Sequence, residues 1–177
     1  ETERLALIDQ LTGLWNSRSM RDDITRTFEQ AGRSGESFAF MMLDLDDFKS
    51  FNDRFGHVAG DEALRLVSRS LQAAVRAADR AYRYGGEEFC VILPATTTEE
   101  ALIVAGRIGQ SVADVPLHPD GADDAVSLTV SIGVAVYPED ATNVDALTCC
   151  ADDALYRAKR EGKNRVVAHC GAGSATS

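Results

Sequence analysis

The run Ser37-Phe38-Ala39-Phe40-Met41-Met42-Leu43 has no polar face. Side chains alternate sides along a strand, so a strand that is apolar on both sides needs cover on both. The run therefore predicts a central strand inside a layered domain with helices on either face. Asp44 closes it, which puts one carboxylate at the carboxyl end of a buried strand. Ligand sites in open α/β sheets favour that edge.

A second stretch adds more carboxylates. Ala81-Tyr82-Arg83-Tyr84 is β-prone, Phe89-Cys90-Val91-Ile92-Leu93 is apolar and stops at Pro94, and Gly85-Gly86-Glu87-Glu88 lies between. Two glycines between two strand-like runs predict a tight hairpin. The turn would deliver Glu87 and Glu88 onto the first residues of the second strand, pointing to opposite sides. With Leu43-Asp44-Leu45-Asp46-Asp47 this makes two acidic strand ends in one domain. Hard divalent cations such as Mg²⁺ take oxygen ligands, commonly one or two carboxylates with phosphates and water. A plain hairpin with solvated acids at its mouth is the alternative for this stretch alone.

Length and composition narrow the class. At 177 residues, 45% hydrophobic and 26% charged, the chain reads as one globular domain. No apolar run approaches the ~20 residues of a membrane span. A net charge of −10 argues against a broad nucleic-acid surface but not against a nucleotide pocket. Cys90, Cys149, Cys150 and Cys170 form no C-x-x-C and read as reduced, buried thiols of a cytoplasmic domain. His57, His118 and His169 are scattered and take no catalytic role. The chain begins at Glu1 and reads as a piece of a longer protein, whose parent is either soluble or membrane-anchored.

Along the chain, residues 1–10 have helical composition and are expected to end a connector helix from an upstream module. Asn16 or Ser17 should cap a helix with Met20, Ile24, Phe28 and Ala31 on one face, ended by Gly32 and Gly35. Asp46 to Asp61 reads as a polar connection. A long helix follows with Leu64, Val67, Leu71, Ala74 and Ala78 on its apolar face, and Asp61 is placed to cap it. Thr97 with Glu100 predicts a capping box, opening a helix that buries Leu102, Ala105, Ile108 and Val112. Ala125 to Tyr137 reads as a strand in which Gly133 marks a bulge or a close backbone approach. A last helix spans about Asn143 to Arg160, a short edge strand covers Arg165 to Ala168, and residues 170–177 are expected to form a disordered tail.

Five stretches together resemble the GGDEF domain, the catalytic domain of bacterial diguanylate cyclases. They are Asp9-Gln10-Leu11-Thr12-Gly13-Leu14-Trp15-Asn16; Asp44-Leu45-Asp46-Asp47-Phe48-Lys49 through Asn52-Asp53, with Phe55-Gly56-His57 and Gly60-Asp61; Arg83-Tyr84-Gly85-Gly86-Glu87-Glu88-Phe89; Ser131-Ile132-Gly133-Val134-Ala135; and Ala154-Leu155-Tyr156-Arg157-Ala158-Lys159 with Gly162-Lys163-Asn164-Arg165. They occur in the family's order over residues 6–168. Glu87 stands where the family name has Asp, which keeps a carboxylate, and the stretch after Asn16 lacks the family's frequent doubled arginine.

The resemblance implies an α/β (α+β) domain over residues 11–169, with a mixed central sheet flanked by helices as in the palm of nucleotide cyclases and polymerases. It implies Mg²⁺- or Mn²⁺-dependent condensation of two GTP into cyclic di-GMP and two pyrophosphates. Asp44, Glu87 and the Leu45 carbonyl would hold the metal, with Glu88 as a further ligand or as a helper in deprotonating the 3′-hydroxyl. Asn52 and Asp61 would read guanine, the Asp accepting from the N1–H and the exocyclic amine. Phe48, Lys49, Gly85, Gly86, Lys159 and Lys163 would line the GTP site, the lysines near the triphosphate. Arg76, Asp79 and Arg107 match an inhibitory site for the product; Arg76 and Asp79, taken as ending the long helix, otherwise read as a surface ion pair. A homodimer through the catalytic domains and an upstream sensor or receiver module are the implied partners. Two other readings compete: a domain that binds GTP or cyclic di-GMP without turnover, and a cyclase for another purine. The intact Asp44, Glu87 and Glu88 argue against the first, and Asp61 against the second.

Overall fold

The apolar run folds into β1, Phe38–Leu45, the middle strand of a five-stranded mixed sheet. The structure, a computed structural model, describes residues 6–169. In chain order the elements are α1 (Ser17–Ser34), β1, α2 (Phe48–Phe55), α3 (His57–Ala74), β2 (Arg80–Gly85), β3 (Glu88–Leu93), α4 (Thr98–Ala113), β4 (Val130–Tyr137), α5 (Val144–Arg160) and β5 (Val166–Ala168). Strand order is β2-β3-β1-β4-β5, with β1 antiparallel to both neighbours and β5 parallel to β4.

The two sets of β1 side chains go to two different cores. Ala39, Met41, Leu43 and Leu45 pack with Phe48 and Phe51 of α2, Leu64, Val67 and Leu71 of α3, and Val104 and Ile108 of α4. Phe38, Phe40 and Met42 pack with Met20 and Ile24 of α1 and Leu147, Ala151 and Leu155 of α5. Each face thus has the cover its composition demands.

Helix ends follow the local chemistry. The Asn16 side chain accepts from the Ser19 N–H, and Gly35, in the left-handed region, caps the far end of α1, so Gly32 lies inside the helix. Thr97 and Glu100 form the reciprocal capping box. In α4, Ala101 and Val104 face the core while Leu102 is exposed, so the buried face begins one residue earlier than expected.

Three expectations are corrected. The polar connection from Asp46 to Asp61 is two helices, because Phe48 and Phe51 anchor a short helix of 8 residues that the surrounding charges conceal. Gly56, at φ 88, breaks the two apart. The long helix therefore begins at His57, with Gly56 at its cap, and Asp61 lies inside it. It ends at Ala74, so Arg76, Ala78 and Asp79 belong to the turn that follows. Residues 6–10 are not helical: Ile8 bridges Trp15, and the Asp9 N–H donates to Leu14 O at 2.8 Å. Asp9 turns its carboxylate onto the Thr12 N–H, a local bond that competes with a helix. The rest of the expected connector, residues 1–5, and the expected tail, residues 170–177, lie outside the described residues.

β4 starts at Val130, five residues later than expected, since Val126 bridges only Leu117. Gly133 marks a close approach, not a bulge: a Cβ there would overlap the Ala151 carbonyl and the Leu155 amide of α5. Among the described residues, no helix is long and apolar enough to cross a membrane.

Candidate active site

Asp44 and Glu88 sit directly opposite each other on β1 and β3. By alternation both face the α1–α5 side, with Phe40 and Met42 and with Cys90 and Ile92. The turn falls one residue later than the glycine pair suggests. Gly85 ends β2 and pairs with Glu88, so the loop is Gly86-Glu87 and only Glu88 lies on the strand. The Glu87 carbonyl accepts from the Leu45 N–H at 3.2 Å, which ties the loop to the end of β1.

Arg83 braces this turn. Its guanidinium donates to the Gly86 carbonyl at 2.8 and 3.1 Å and to both Asp9 oxygens at 3.1 Å. Asp9 is also bonded by the Thr12 hydroxyl at 2.6 Å. Burial pushes the Asp9 carboxyl up, but its bonds to Thr12 and Arg83 outweigh burial and hold it below the usual range. Glu88 goes the other way. Burial, then the charges of Asp44, Asp152 and Glu87, raise it above an ordinary glutamate.

Lys159, in the last turn of α5, reaches this cluster. Its ammonium lies 2.5 Å from Asp44 Oδ1 and 2.8 Å from Asp46 Oδ1. Burial lowers the Lys159 pKa, but the two carboxylates outweigh it and hold the group above its usual value. Asp46 itself is buried and saturated. It accepts from Ser131 Oγ at 2.7 Å, Thr129 Oγ1 at 2.7 Å and the Asn164 N–H at 2.9 Å as well as from Lys159. Burial raises this carboxyl, and the four donors together bring it below its ordinary range. Neither Asp46 nor the Asp9–Arg83 brace was predicted to serve the site. Alternation would have flagged Asp46 as sharing a face with Asp44, but its partners come from segments more than 80 residues away.

The other expected GTP residues divide. Lys163 pairs with Asp47 at 2.6 Å, and Lys49 is exposed in the first turn of α2. Phe48 is 7% exposed and stacks near Phe51, so its side chain belongs to the core and does not line the site. Asn52 packs at the α2–α3 corner against Gly60, where any Cβ would overlap its amide. Its Oδ1 is buried with no partner among the described residues, an unmade bond of the kind a site for a polar ligand tolerates. Asp61 is exposed one residue beyond Gly60.

A separate corner gathers Arg76, Asp79 and Arg107. Asp79 accepts from the Arg76 N–H at 2.8 Å and from Nε and Nη2 at 3.0 Å each, and Arg76 also donates to Thr96 Oγ1 at 2.6 Å. The Arg107 Nε donates to the Ala74 carbonyl at 2.7 Å, at the end of α3. Asp79 is buried and engaged with Arg76, so it orients that arginine instead of facing outward.

The donor set suits a hard cation that brings its own ligands. No group of three or more His, Cys, Asp or Glu side chains forms a ready-made cage among the described residues. Asp44, Glu87 and the Leu45 carbonyl supply oxygen only, and a lysine ammonium already rests on two of them. Mg²⁺ fits such a site when phosphates and water complete its shell.

A family model described as "Diguanylate cyclase, GGDEF domain" matches residues 6–165. The chain is 40% identical over 163 residues to the response regulator PleD of Caulobacter vibrioides, covering 92% of this chain and 36% of that protein. It is 38% identical over 161 residues to the diguanylate cyclase DgcP of Pseudomonas aeruginosa, covering 91% of this chain and 24% of that one. The chain thus spans well under half the length of these curated relatives. Its fold is similar to the GGDEF domain of DgcB from Caulobacter crescentus solved in complex with c-di-GMP: TM-score 0.85, 33% identity, covering 93% of this chain and 96% of that one.

Proposed function

The chain belongs to the diguanylate cyclase GGDEF domain family, and from that premise we propose that it joins two GTP molecules into cyclic di-GMP with release of two pyrophosphates. The observation that carries this reading is the pairing of Asp44 with Glu88 beside the Glu87 turn, within reach of Lys159. In each half-reaction a 3′-hydroxyl oxygen bonds to the α-phosphorus of the other nucleotide. The bond from that phosphorus to the pyrophosphate oxygen breaks, and the hydroxyl proton leaves.

Asp44, Glu87 and the Leu45 carbonyl would hold Mg²⁺ or Mn²⁺. When bound, the metal neutralises phosphate charge and eases ionisation of the hydroxyl. Glu88 would serve as a further metal ligand or help to take the hydroxyl proton. Lys159 and Lys163 would meet the β- and γ-phosphates, with Lys49 near them. Asn52 and Asp61 would select guanine at the α2–α3 corner. A site built to hydrogen-bond a group rejects analogues that lack it, because its own polar atoms go unpaired.

One GTP per domain leaves the attacking hydroxyl to a second copy, so the active species is a two-fold dimer whose active sites face each other. An upstream sensor or receiver module would set their effective concentration. Arg76 and Arg107, with Asp79 orienting Arg76, would take product at a second site and hold the domains apart.

Incubation with GTP and Mg²⁺, followed by identification of the product, tests the reading. Cyclic di-GMP should form in wild type, and Glu87→Ala should lower its rate at least ~100-fold. Near-normal synthesis by Glu87→Ala would sink the assignment. Specific activity should climb with protein concentration, and a flat value through the monomer range would remove the dimer.

A further inference from the structure

Lys159 rests on two of the donors that the proposed metal would use, Asp44 Oδ1 and the Leu45 carbonyl. Its Nζ lies 2.5 Å from Asp44 Oδ1 and 3.4 Å from the carbonyls of Asp44 and Leu45. Its remaining contact is Asp46 Oδ1 at 2.8 Å. The two carboxylates differ in freedom. The Asp44 side chain is 19% exposed and has no other side-chain partner among the described residues. The Asp46 side chain is 2% exposed and is fixed by three further donors on Ser131, Thr129 and Asn164.

We infer that Lys159 is a tethered counter-cation: it occupies Asp44 and the Leu45 carbonyl while the site is empty, gives them up when a divalent cation arrives, and stays held by Asp46 within reach of phosphate. Two cations cannot share Asp44 at contact distance without strong repulsion. An ammonium on a flexible four-carbon stem can turn from one oxygen to another, and Asp46, fixed by its three other donors, keeps it from escaping to solvent. Asp46 is thus a positioning residue. The empty protein binds a free divalent cation poorly. A nucleotide reverses this by giving Lys159 a new anionic partner and the metal its missing ligands, which is a coupling between the two ligands. The inference rests on the assignment of Asp44 to the metal given above.

The test is Mn²⁺ binding to the nucleotide-free protein, read from the electron paramagnetic resonance signal of free Mn²⁺. Lys159→Met should bind Mn²⁺ roughly tenfold tighter than wild type, the scale of one lost charge-assisted contact. Lys163→Met removes an equal charge nearby and should gain much less. Asp46→Asn should bind more weakly than wild type, and that loss should shrink in the Lys159→Met background, because Asp46 acts through the lysine.

If Asp44→Asn weakens Mn²⁺ binding while Lys159→Met gains no more than Lys163→Met, the counter-cation role is overturned and the metal assignment stands. If Asp44→Asn leaves binding unchanged, both fall. A loss from Asp46→Asn that persists undiminished in the Lys159→Met background would overturn the positioning role. Should Lys159→Met not fold, the Lys159 Cε resonance of wild type, followed by ¹³C NMR during Mg²⁺ titration, must shift; a resonance unmoved at saturation overturns the inference.

Discussion

Asp79 and Asp46 are both buried carboxylates that grip a partly exposed base, and they do so in opposite ways. Asp79 holds Arg76 three residues away, through both carboxylate oxygens and a main-chain N–H. Asp46 holds Lys159 from 113 residues away and makes only one of that lysine's contacts. A guanidinium bound through both nitrogens of one edge has its plane set, so Arg76, with 40% of its side chain exposed, presents a fixed fork. An ammonium is a point charge without a plane, so Lys159 can change partners without changing its anchor. One pair would present a recognition surface under the proposed function, and the other would transfer a charge.

Swapping the two bases breaks this contrast most sharply. Lys159→Arg keeps the charge but puts a planar fork where a compact ammonium rests between Asp44 and Asp46. The initial rate of cyclic di-GMP synthesis should fall roughly 100-fold, as expected for a small misplacement at a reacting centre. Product chromatography measures it, and a rate within threefold of wild type would mean that the point charge is not what matters.

Removing the deeper grip comes next. Asp46→Asn leaves one acceptor for four donors and should cost about 1–3 kcal/mol in chemical denaturation at neutral pH. Because the folded Asp46 carboxyl is held below its ordinary 3.8, its stabilisation is complete above that value. It is lost as pH falls through the lower folded value, so the two proteins should converge in strong acid. A gap independent of pH would assign the effect to shape, not charge.

The counterpart swap, Arg76→Lys, should raise the cyclic di-GMP concentration needed to stall a progress curve about tenfold, since a bidentate contact becomes a single one. Equal inhibition of both proteins would leave Arg76 and Asp79 as an ion pair alone.

The smallest effect belongs to a carboxylate with no base of its own. Folding raises Glu88, chiefly by burial and then by its acidic neighbours. Its neutral form therefore favours the fold below the ordinary 4.5, and that favour is lost as pH rises through the raised folded value. Glu88→Gln mimics the neutral form. It should melt slightly higher than wild type at neutral pH without metal, and the difference should vanish below pH 4.5. A lower melting point at neutral pH would reverse the sign of this argument.

Sequence reading reached the parts of this molecule whose causes are local. The doubly apolar β1, the Asn16 cap and the Thr97–Glu100 box each depend on residues within a few positions of one another. The same holds for the carboxylates at the strand ends. It failed where a distant partner decides the outcome. The charges between Asp46 and Asp61 conceal that Phe48 and Phe51 dock on the sheet. The turn is braced by Arg83 bridging Asp9 and Gly86, a contact across 74 residues that composition does not announce. Asp46 is the clearest case. Its role comes from hydroxyls on Thr129 and Ser131 and an amide at Asn164, none of which signals a site until the sheet and α5 bring them together.

Gly133 is chemically silent, yet it sets the height at which the helix carrying Lys159 sits. The backbone of α5 rests directly on β4 at Ala151 and Leu155, with no side chain between. Lys159 extends from the next turn of the same helix. The helix is therefore a lever whose fulcrum is a missing methyl group, and lifting the fulcrum lifts the tip. A displacement of about 1 Å at a reacting centre can cost on the order of 100-fold in rate. Anyone transplanting this site onto another sheet would have to reproduce that seating height before copying a single charged residue.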